Sequence, residues 1–205
     1  EVFGVTSDEI HELLKVIELP ITEKQIEQSY PETFYNFCQD SIGEHWHSIA
    51  AALNNKPSVF IRVNTLRTTR DALVEQLKNL QVEFSTDCVV PVSLAKNSDC
   101  IQILSKNNLK KSDLYNQGFF EFQDIGSQAI GEFLFSSITD TSKLKDITIL
   151  DLCAGAGGKT LHLSALLNNE GKIYATDYKP SRLRNLQQRA EQAGCKNIKI
   201  IDFKE

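Results

Sequence analysis

Residues 147–177 read ITILDLCAGAGGKTLHLSALLNNEGKIYATD, and this stretch decides the fold. ITILDL and KIYATD are apolar enough to be buried parallel strands, and the segment between them is typical of a helix. A second helix that ends near Gly194 and a third strand, KNIKIID, continue the alternation to Asp202. The pattern predicts the start of a doubly wound parallel sheet with right-handed crossovers.

A glycine-rich loop joins the first of these strands to the first helix. Gly155, Gly157 and Gly158 let the backbone approach a ligand closely, and the N-terminus of the helix offers free N–H groups and the positive end of a dipole. The next strand ends at Asp177, twenty residues after Gly157, where a carboxylate can accept both hydroxyls of a ribose. Together these features predict an adenosyl ligand. The alternative is that the glycines only form a tight turn and that Asp177 caps a loop.

Two well-known phosphate-binding loops do not match this sequence. A Walker A loop needs a glycine where Cys153 stands. The dinucleotide fingerprint needs a third small residue where Thr160 stands. A different nucleotide-derived ligand is therefore indicated.

The chain upstream of this sheet predicts two further parts. SVFIRVNTL, RDALVEQLKNL and QVEF indicate a strand, a helix and a strand, with VVPV and CIQIL as further strands. SDEIHELLKVIEL, at 7–19, indicates a short acidic amphipathic helix. We expect an acidic helical segment at 1–56, a small α/β module at 57–117 and the first half of a Rossmann-like domain at 118–205. In the module's helix, the residues expected to face inward are Ala72, Leu73, Leu77 and Leu80.

Composition and charge narrow the class of protein. The formal net charge is −5, but the first 50 residues hold ten acids and two bases, whereas the rest hold 17 acids and 20 bases. A polyanionic partner therefore stays possible for that larger part. No apolar run approaches the ~18 residues of a membrane span, so we expect a cytoplasmic protein without a membrane partner. The five cysteines form no C-x-x-C pair, and His45 and His47 have no further ligand at metal spacing, so we expect no metal site.

Three motifs together resemble the RsmB/Sun-type RNA (cytosine-5) methyltransferases. They are LDLCAGAGGKT at 150–160, FQDIGSQA at 122–129 and IRVNTLR at 61–67. The resemblance runs from about Ser58 to the end and covers only the N-terminal and cofactor-binding portion of such enzymes. Ala156 stands where the family usually has proline. The resemblance implies a Rossmann-like class I methyltransferase sheet, incomplete in this chain, after a small RRM-like module on the RNA side and an N-terminal helical segment.

The resemblance also implies S-adenosylmethionine as the cofactor. Asp177 would hold its ribose, Arg182 would pair with acids near it, and Asp202 would lie near the adenine. A solvated helix arginine and a loop acid are the alternatives for Arg182 and Asp202. The residues that would surround the methionine part are Cys153, Ala154, Gly155, Ala156, Gly157, Gly158 and Lys159.

Enzymes of this family activate cytosine with a cysteine thiolate that attacks C6, and a second cysteine helps to release the product. Their cysteines lie in Asp-Ala-Pro-Cys and Thr-Cys-Ser motifs after the third strand, and this chain stops at Glu205 before either motif. We therefore expect no catalytic residue in it. Cys153 is not a substitute, because that position belongs to the family's cofactor loop.

Basic residues are the candidates for sequence-independent contacts with RNA phosphates. The alternative is that each is an ordinary solvated charge. The candidates are Arg62, Arg67, Arg70, Lys106, Lys110, Lys111, Lys179, Arg182, Arg184 and Arg189.

The function expected from these patterns is S-adenosylmethionine-dependent methylation of cytosine C5 in RNA, with ribosomal RNA as the substrate. The alternative is a noncatalytic RNA-binding or assembly protein that keeps a methyltransferase-like fold. A methyltransferase for a small molecule or a protein is disfavoured, because the basic strand-helix-strand module resembles an RNA-side appendage.

Overall fold

The computed structural model describes residues 30–88, 99–105, 108–138 and 140–201. The chain forms two compact units, Glu1–Pro57 and Ser58–Glu205. The helix expected at 7–19 and the strand expected at 89–92 lie outside the described residues. Within the described ranges, no helix combines the length and the apolarity needed to cross a membrane.

A pair of helices makes up the described part of the first unit. They are α1 (Glu32–Ile42) and α2 (His45–Asn54). Trp46 is 2% exposed and packs with Tyr35, Cys38 and Ala50. The ring centroids of Tyr35 and Trp46 are 6.3 Å apart at an interplanar angle of 75°, so a T-shaped aromatic pair forms much of this small core.

The second unit contains a four-stranded antiparallel sheet. Its strands are β1 (Val59–Val63), β2 (Phe84–Ser85), β3 (Cys100–Ile103) and β4 (Phe120–Phe122). Their order is β2-β3-β1-β4, and Ile61 of β1 lies opposite Ile101 of β3 and Phe122 of β4. The expected QVEF strand shrinks to two residues because Gln81, at φ +55°, belongs to a turn. Between β3 and β4 lie a 3-10 turn (Leu109–Lys111) and a one-turn helix, α4 (Asp113–Asn116).

Helix α3 (Arg70–Asn79) covers one face of this sheet. Leu73 and Leu77 are fully buried in the core, as expected, because residues four apart lie on the same side of a helix. The inward prediction is wrong for Ala72 and Leu80. Ala72 lies one residue off the buried side and is exposed, and Leu80, at the helix C-cap, is 52% exposed.

A three-stranded parallel sheet with its helices completes the second unit. The elements are α5 (Ile125–Ser136), β5 (Thr148–Asp151), α6 (Gly158–Leu166), β6 (Lys172–Ala175), α7 (Pro180–Ala193) and β7 (Ile198–Ile200), with a 3-10 segment (Thr141–Asp146) before β5. The strand order is β5-β6-β7, with Ile173 of β6 opposite both Ile149 and Ile198. Leu161 of α6 and Leu186 of α7 pack in one core cluster, so both helices cover the same region of the sheet.

The expected α/β class is confirmed, with an antiparallel sheet followed by a parallel one. β4 belongs to the antiparallel sheet, because it pairs with β1. Its residues nevertheless lie in 118–205, the part that we expected to form the Rossmann-like domain. The division at 56/57 and 117/118 stays a prediction.

Candidate functional site

The glycine loop is closed at its base by the carboxylate of Asp151, the last residue of β5. One of its oxygens accepts the Thr160 hydroxyl at 2.7 Å, and the other accepts the Cys153 N–H at 3.3 Å. Thr160 is the residue that departs from the dinucleotide fingerprint, and here its hydroxyl joins the start of α6 to the end of β5. Gly157 has φ +91°, and a Cβ there would lie 2.9 Å from Leu186 Cγ, so both backbone and packing require glycine.

Asp177 lies beside this loop, after the end of β6. Its Oδ1 accepts the Lys179 N–H at 2.9 Å, and its Oδ2 accepts the Gly155 N–H at 2.9 Å. The hydrogen bond from Lys179, followed by the one from Gly155, lowers the pKa of this carboxyl below its ordinary value. Asp177 is therefore ionised at neutral pH, and each oxygen keeps a lone pair for a further donor. The predicted glycine loop and the predicted acid are therefore in direct contact, through the hydrogen bond from Gly155 to Asp177.

Arg182 lies near Asp177 as a weak surface partner. Its Nη1 is 3.8 Å from Asp177 Oδ1, and its side chain is 55% exposed. Its expected pairing with acids near a cofactor stays a prediction. Asp202 lies outside the described residues.

The remaining loop residues differ in exposure. Cys153, Ala156 and Lys159 are exposed, whereas Ala154 is buried and its N–H donates to the Thr176 carbonyl at 3.0 Å. Cys153 therefore presents a free thiol on the loop surface. Their contacts with a cofactor stay predictions.

Tyr178 is a candidate that the sequence reasoning missed. It directly follows Asp177 and is 90% exposed. An aromatic ring so open to solvent offers a flat apolar surface beside the carboxylate. An aromatic residue next to the predicted ribose acid was the available signal in the sequence.

Arg189, which we expected at RNA phosphates, and Gln123 contact the loop from outside, and these contacts were missed. Arg189 of α7 donates from Nη1 to the Ala156 carbonyl at 2.5 Å and from Nη2 to Glu121 Oε2 at 2.6 Å. Gln123 donates from Nε2 to the Gly158 carbonyl at 3.3 Å. Their partners are far apart in sequence, so spacing could not have revealed these contacts.

Several arginines expected at RNA phosphates instead have hydrogen-bond partners within the protein. Arg62 is 2% exposed and donates from Nε to Gln123 Oε1 at 2.7 Å, so the phosphate prediction is wrong for it. Burial lowers the pKa of Arg62 to about 10, which still leaves it charged at neutral pH. Arg67 donates to the carbonyls of Glu191 and Gln192 at the end of α7.

Arg70 and Arg189 also have internal partners: Arg70 donates to the Thr86 carbonyl at 2.8 Å, and Arg189 pairs with Glu121. Lys106 lies outside the described residues. The exposed candidates are Arg67, which donates to the two carbonyls at the end of α7, and Lys110, Lys111, Lys179, Arg182 and Arg184.

The other thiols and two of the histidines lie in separate places among the described residues. Cys38 and Cys100 are buried, and Cys88 and Cys195 are partly buried. Both ring nitrogens of His47 are 3.4 Å from the Tyr35 hydroxyl, which gives His47 a packing partner. Within the part of the chain that the structure describes, no three His, Cys, Asp or Glu side chains are grouped to hold a metal ion.

Comparison with known families gives two matches, which include β1–β3 and β5–β7. A family described as 16S rRNA methyltransferase RsmB/F matches residues 141–204, and the RsmF/B-like ferredoxin-like domain matches residues 30–108. The chain belongs to the RsmB/F methyltransferase family. The second match begins at residue 30, earlier than the expected start of the resemblance near Ser58.

Two relatives illustrate the relationship. A probable ribosomal RNA small subunit methyltransferase B of Synechocystis is 27% identical over 173 residues, which are 84% of this chain and 36% of that protein. A tRNA (cytosine(72)-C(5))-methyltransferase of Pyrococcus horikoshii is 31% identical over 96 residues, 47% of this chain and 23% of that protein. The chain spans about a third of the length of the curated relatives that it matches first.

A solved structure shares the fold of this RsmB/F-family chain. It is NSun6 from Pyrococcus horikoshii, solved with SFG, with a TM-score of 0.66 and 16% identity. The match covers 86% of this chain and 66% of that one.

Proposed function

We propose that this chain is the N-terminal and cofactor-binding portion of an S-adenosylmethionine-dependent enzyme that methylates cytosine C5 in RNA, with ribosomal RNA as its substrate. The proposal rests mainly on one observation: an ionised Asp177 is fixed against the Gly155 N–H, next to the N-terminus of α6. The names of the two relatives and the SFG in NSun6 support the same class of reaction.

The residues of the site fit the chemistry of this cofactor. Asp177 offers two oxygens to the ribose hydroxyls, and the exposed ring of Tyr178 offers a stacking surface to the adenine. The N-terminus of α6, at Gly158, suits the carboxylate of the methionine part. When bound, S-adenosylmethionine supplies an electrophilic methyl group. Lys159 and Cys153 lie on the exposed side of the loop and complete the proposed contacts.

We assign the catalytic thiol to none of the cysteines in this chain. Cys38 and Cys100 are buried, and Cys153 belongs to the cofactor loop. Attack on cytosine C6 needs a thiolate beside the base, because the ring is a poor nucleophile at C5 without that covalent activation. In this proposal, the chain supplies the cofactor site, and its exposed cations contact the RNA.

The cofactor proposal is tested by calorimetric titration of the whole chain with S-adenosylmethionine. Asp177→Asn keeps the shape of the side chain and removes its charge and one acceptor, so binding should weaken about a hundredfold. Asp146→Asn is the matched control, because Asp146 is exposed and precedes the other end of β5. Equal affinity for the wild type and Asp177→Asn would remove the ribose assignment.

Methyl transfer tests whether the catalytic thiol is absent from this chain, and cofactor binding separates the proposed enzyme from a noncatalytic RNA-binding protein. The isolated chain, incubated with labelled S-adenosylmethionine and unmodified ribosomal RNA, should transfer no label. Transfer that Cys153→Ser abolishes would make Cys153 the nucleophile and contradict its assignment to the cofactor loop. The noncatalytic alternative gains support if the chain binds RNA without binding S-adenosylmethionine.

A further inference from the structure

Two carbonyl groups of the glycine loop accept hydrogen bonds from side chains that are themselves bound to residues of the antiparallel sheet. The Ala156 carbonyl accepts a hydrogen bond from Arg189, whose other terminal nitrogen is bound to Glu121 of β4. The Gly158 carbonyl accepts one from Gln123, whose own Oε1 accepts Arg62 of β1. Each link thus runs from a loop carbonyl to one strand of the antiparallel sheet.

The strand geometry explains why these polar side chains point to the loop. Phe120 and Phe122 of β4 face the hydrophobic core, and Glu121, between them, faces the opposite side. Arg62 of β1 is directly opposite Glu121 in the register, between core residues of its own strand. The polar face of this strand pair is therefore directed at α7 and at the glycine loop.

These links are buried where they meet the antiparallel sheet. Glu121 is 4% exposed, Gln123 is 8% exposed, and Arg62 is 2% exposed. A buried charge without a partner is costly, and a fork of two hydrogen bonds from one guanidinium fixes direction as well as distance. Arg189, with 23% of its side chain exposed, is thus held between Glu121 and the Ala156 carbonyl.

The carbonyl contacts also set the direction of the neighbouring N–H groups. A peptide unit is planar and trans, so its N–H points opposite to its carbonyl. When the Ala156 carbonyl is held by Arg189, the Gly157 N–H is directed to its bond with the Ala154 carbonyl, 2.8 Å away. When the Gly158 carbonyl is held by Gln123, the Lys159 N–H at the start of α6 is directed away from β4.

We propose that Arg189 and Gln123 are positioning residues for the cofactor loop and that the antiparallel sheet, through Glu121 and Arg62, is a structural part of the cofactor site. This inference rests on the proposed function, because it assigns the loop to S-adenosylmethionine. The parallel sheet and its helices without β1 and β4 do not bind the cofactor at full affinity.

Two measurements on the whole chain test the proposal. Arg189→Lys keeps the charge but loses the two-pronged geometry, and Glu121→Gln keeps the shape but loses the charge. Each should weaken S-adenosylmethionine binding about tenfold in calorimetry, and the double variant should be little worse than either, since both break one link. Gln188→Ala, at an exposed position on the same helix, is the control and should bind as the wild type does.

Hydrogen exchange distinguishes positioning from general loss of stability. In the free protein, the amides of 154–160 should exchange several-fold faster in Arg189→Lys and Glu121→Gln, while those of β6 keep their wild-type rate. Equal acceleration in β6 would mean that the variants only destabilise the fold and would overturn the proposal. Unchanged exchange in the loop together with unchanged affinity would overturn it as well.

Gln123→Glu tests the proposal if the ion-pair variants do not fold. It keeps the shape of the side chain and an acceptor for Arg62, replaces the donor to Gly158 and leaves the Glu121–Arg189 pair in place. Faster exchange confined to the loop would support the proposal, and unchanged exchange would overturn it. If the wild type does not bind S-adenosylmethionine, the proposed function fails, whereas the exchange experiment still tests whether β4 positions the loop.

Discussion

Asn64 joins three pieces of the second unit with one buried side chain. Its Nδ2 donates to the carbonyls of Gly118 at 2.7 Å and Ala193 at 2.8 Å, and its Oδ1 accepts the Leu66 N–H at 3.2 Å. These bonds connect the end of β1, the turn before β4 and the end of α7. An amide can do this because it carries two donors and an acceptor on one planar group.

Asn64→Ala should lower the free energy of unfolding by about 3 kcal/mol, because two carbonyl groups lose their donor in a buried place. Urea denaturation followed by far-UV circular dichroism measures the loss. Asn79→Ala is the control at the exposed end of α3, and we expect a change within about 0.5 kcal/mol. Equal losses in both variants would contradict the bridging role.

Gly118→Ala should destabilise the protein more than Gly155→Ala. Both glycines have positive φ, at +71° and +56°. A Cβ at Gly118 would overlap the carbonyl of Gln192, whereas at Gly155 the nearest atom is 4.0 Å away. We expect a loss of about 3 kcal/mol for Gly118→Ala, from strain plus overlap, and about 1 kcal/mol for Gly155→Ala. Urea denaturation compares the two, and equal losses would show that the overlap is relieved at no cost.

At the scale of elements, α5 and α6 approach closely because Gly131 has no side chain. A Cβ at Gly131 would overlap the ring of His162, which is 3% exposed. His162 Nε2 lies 3.2 Å from Glu132 Oε1, and Arg62 also acts on it electrostatically. Burial lowers the pKa of His162, and the hydrogen bond to Glu132 only partly opposes that shift.

The pKa of His162 predicts that acid weakens this helix pair. The unfolded chain takes up a proton near the ordinary pKa of about 6.5, but the folded chain resists it to lower pH, so the unfolded state binds more protons. The free energy of unfolding should fall below about pH 6.5, by up to about 1.4 kcal/mol per pH unit from this residue. Urea denaturation at pH 7.5 and 5.5 should show a smaller acid loss in His162→Gln than in the wild type.

The control for this pH dependence is His45→Gln, at an exposed histidine of α2. We expect it to leave the acid loss of the second unit unchanged. An identical pH dependence in His162→Gln and the wild type would contradict the role of burial.

At the scale of the whole molecule, the charge is distributed unevenly. The acids are concentrated in residues 1–50, and the rest of the chain carries a small excess of bases. The structure also engages four of these bases, because Arg62, Arg67, Arg70 and Arg189 donate to groups within the protein. The RNA surface that we propose is therefore formed by fewer cations than the sequence offers.

Neutralising two exposed cations should weaken RNA binding and its dependence on salt. For Lys179→Gln with Arg184→Gln, we expect about tenfold weaker binding and a slope of log affinity against log salt that is smaller by about 1.5. Filter binding of single-stranded RNA between low and physiological salt measures both. Lys145→Gln, an exposed lysine before β5, is the control and should bind as the wild type does. An unchanged slope in the double variant would remove these residues from the RNA surface.

Local sequence determined the elements of the parallel sheet and the centre of the candidate site. Apolar runs and helix spacing predicted β5, α6, β6, α7 and β7. The spacing of apolar residues along the chain indicates a buried strand or helix whichever element packs against it. The glycines and Asp177 were also predictable. Their roles follow from backbone freedom and from spacing along consecutive strands, and the bond between Gly155 and Asp177 agrees with both.

Only the tertiary structure decided what the charged and polar side chains contact. Arg62 and Arg189 look like surface cations in the sequence, yet one is buried against Gln123 and the other binds Glu121 and the glycine loop. A charged side chain enters the interior only where another element brings a matching group, and those groups are 61 and 68 residues away. The sequence therefore determined where most helices, strands and turns form, while the fold decided which charged side chains stay on the surface.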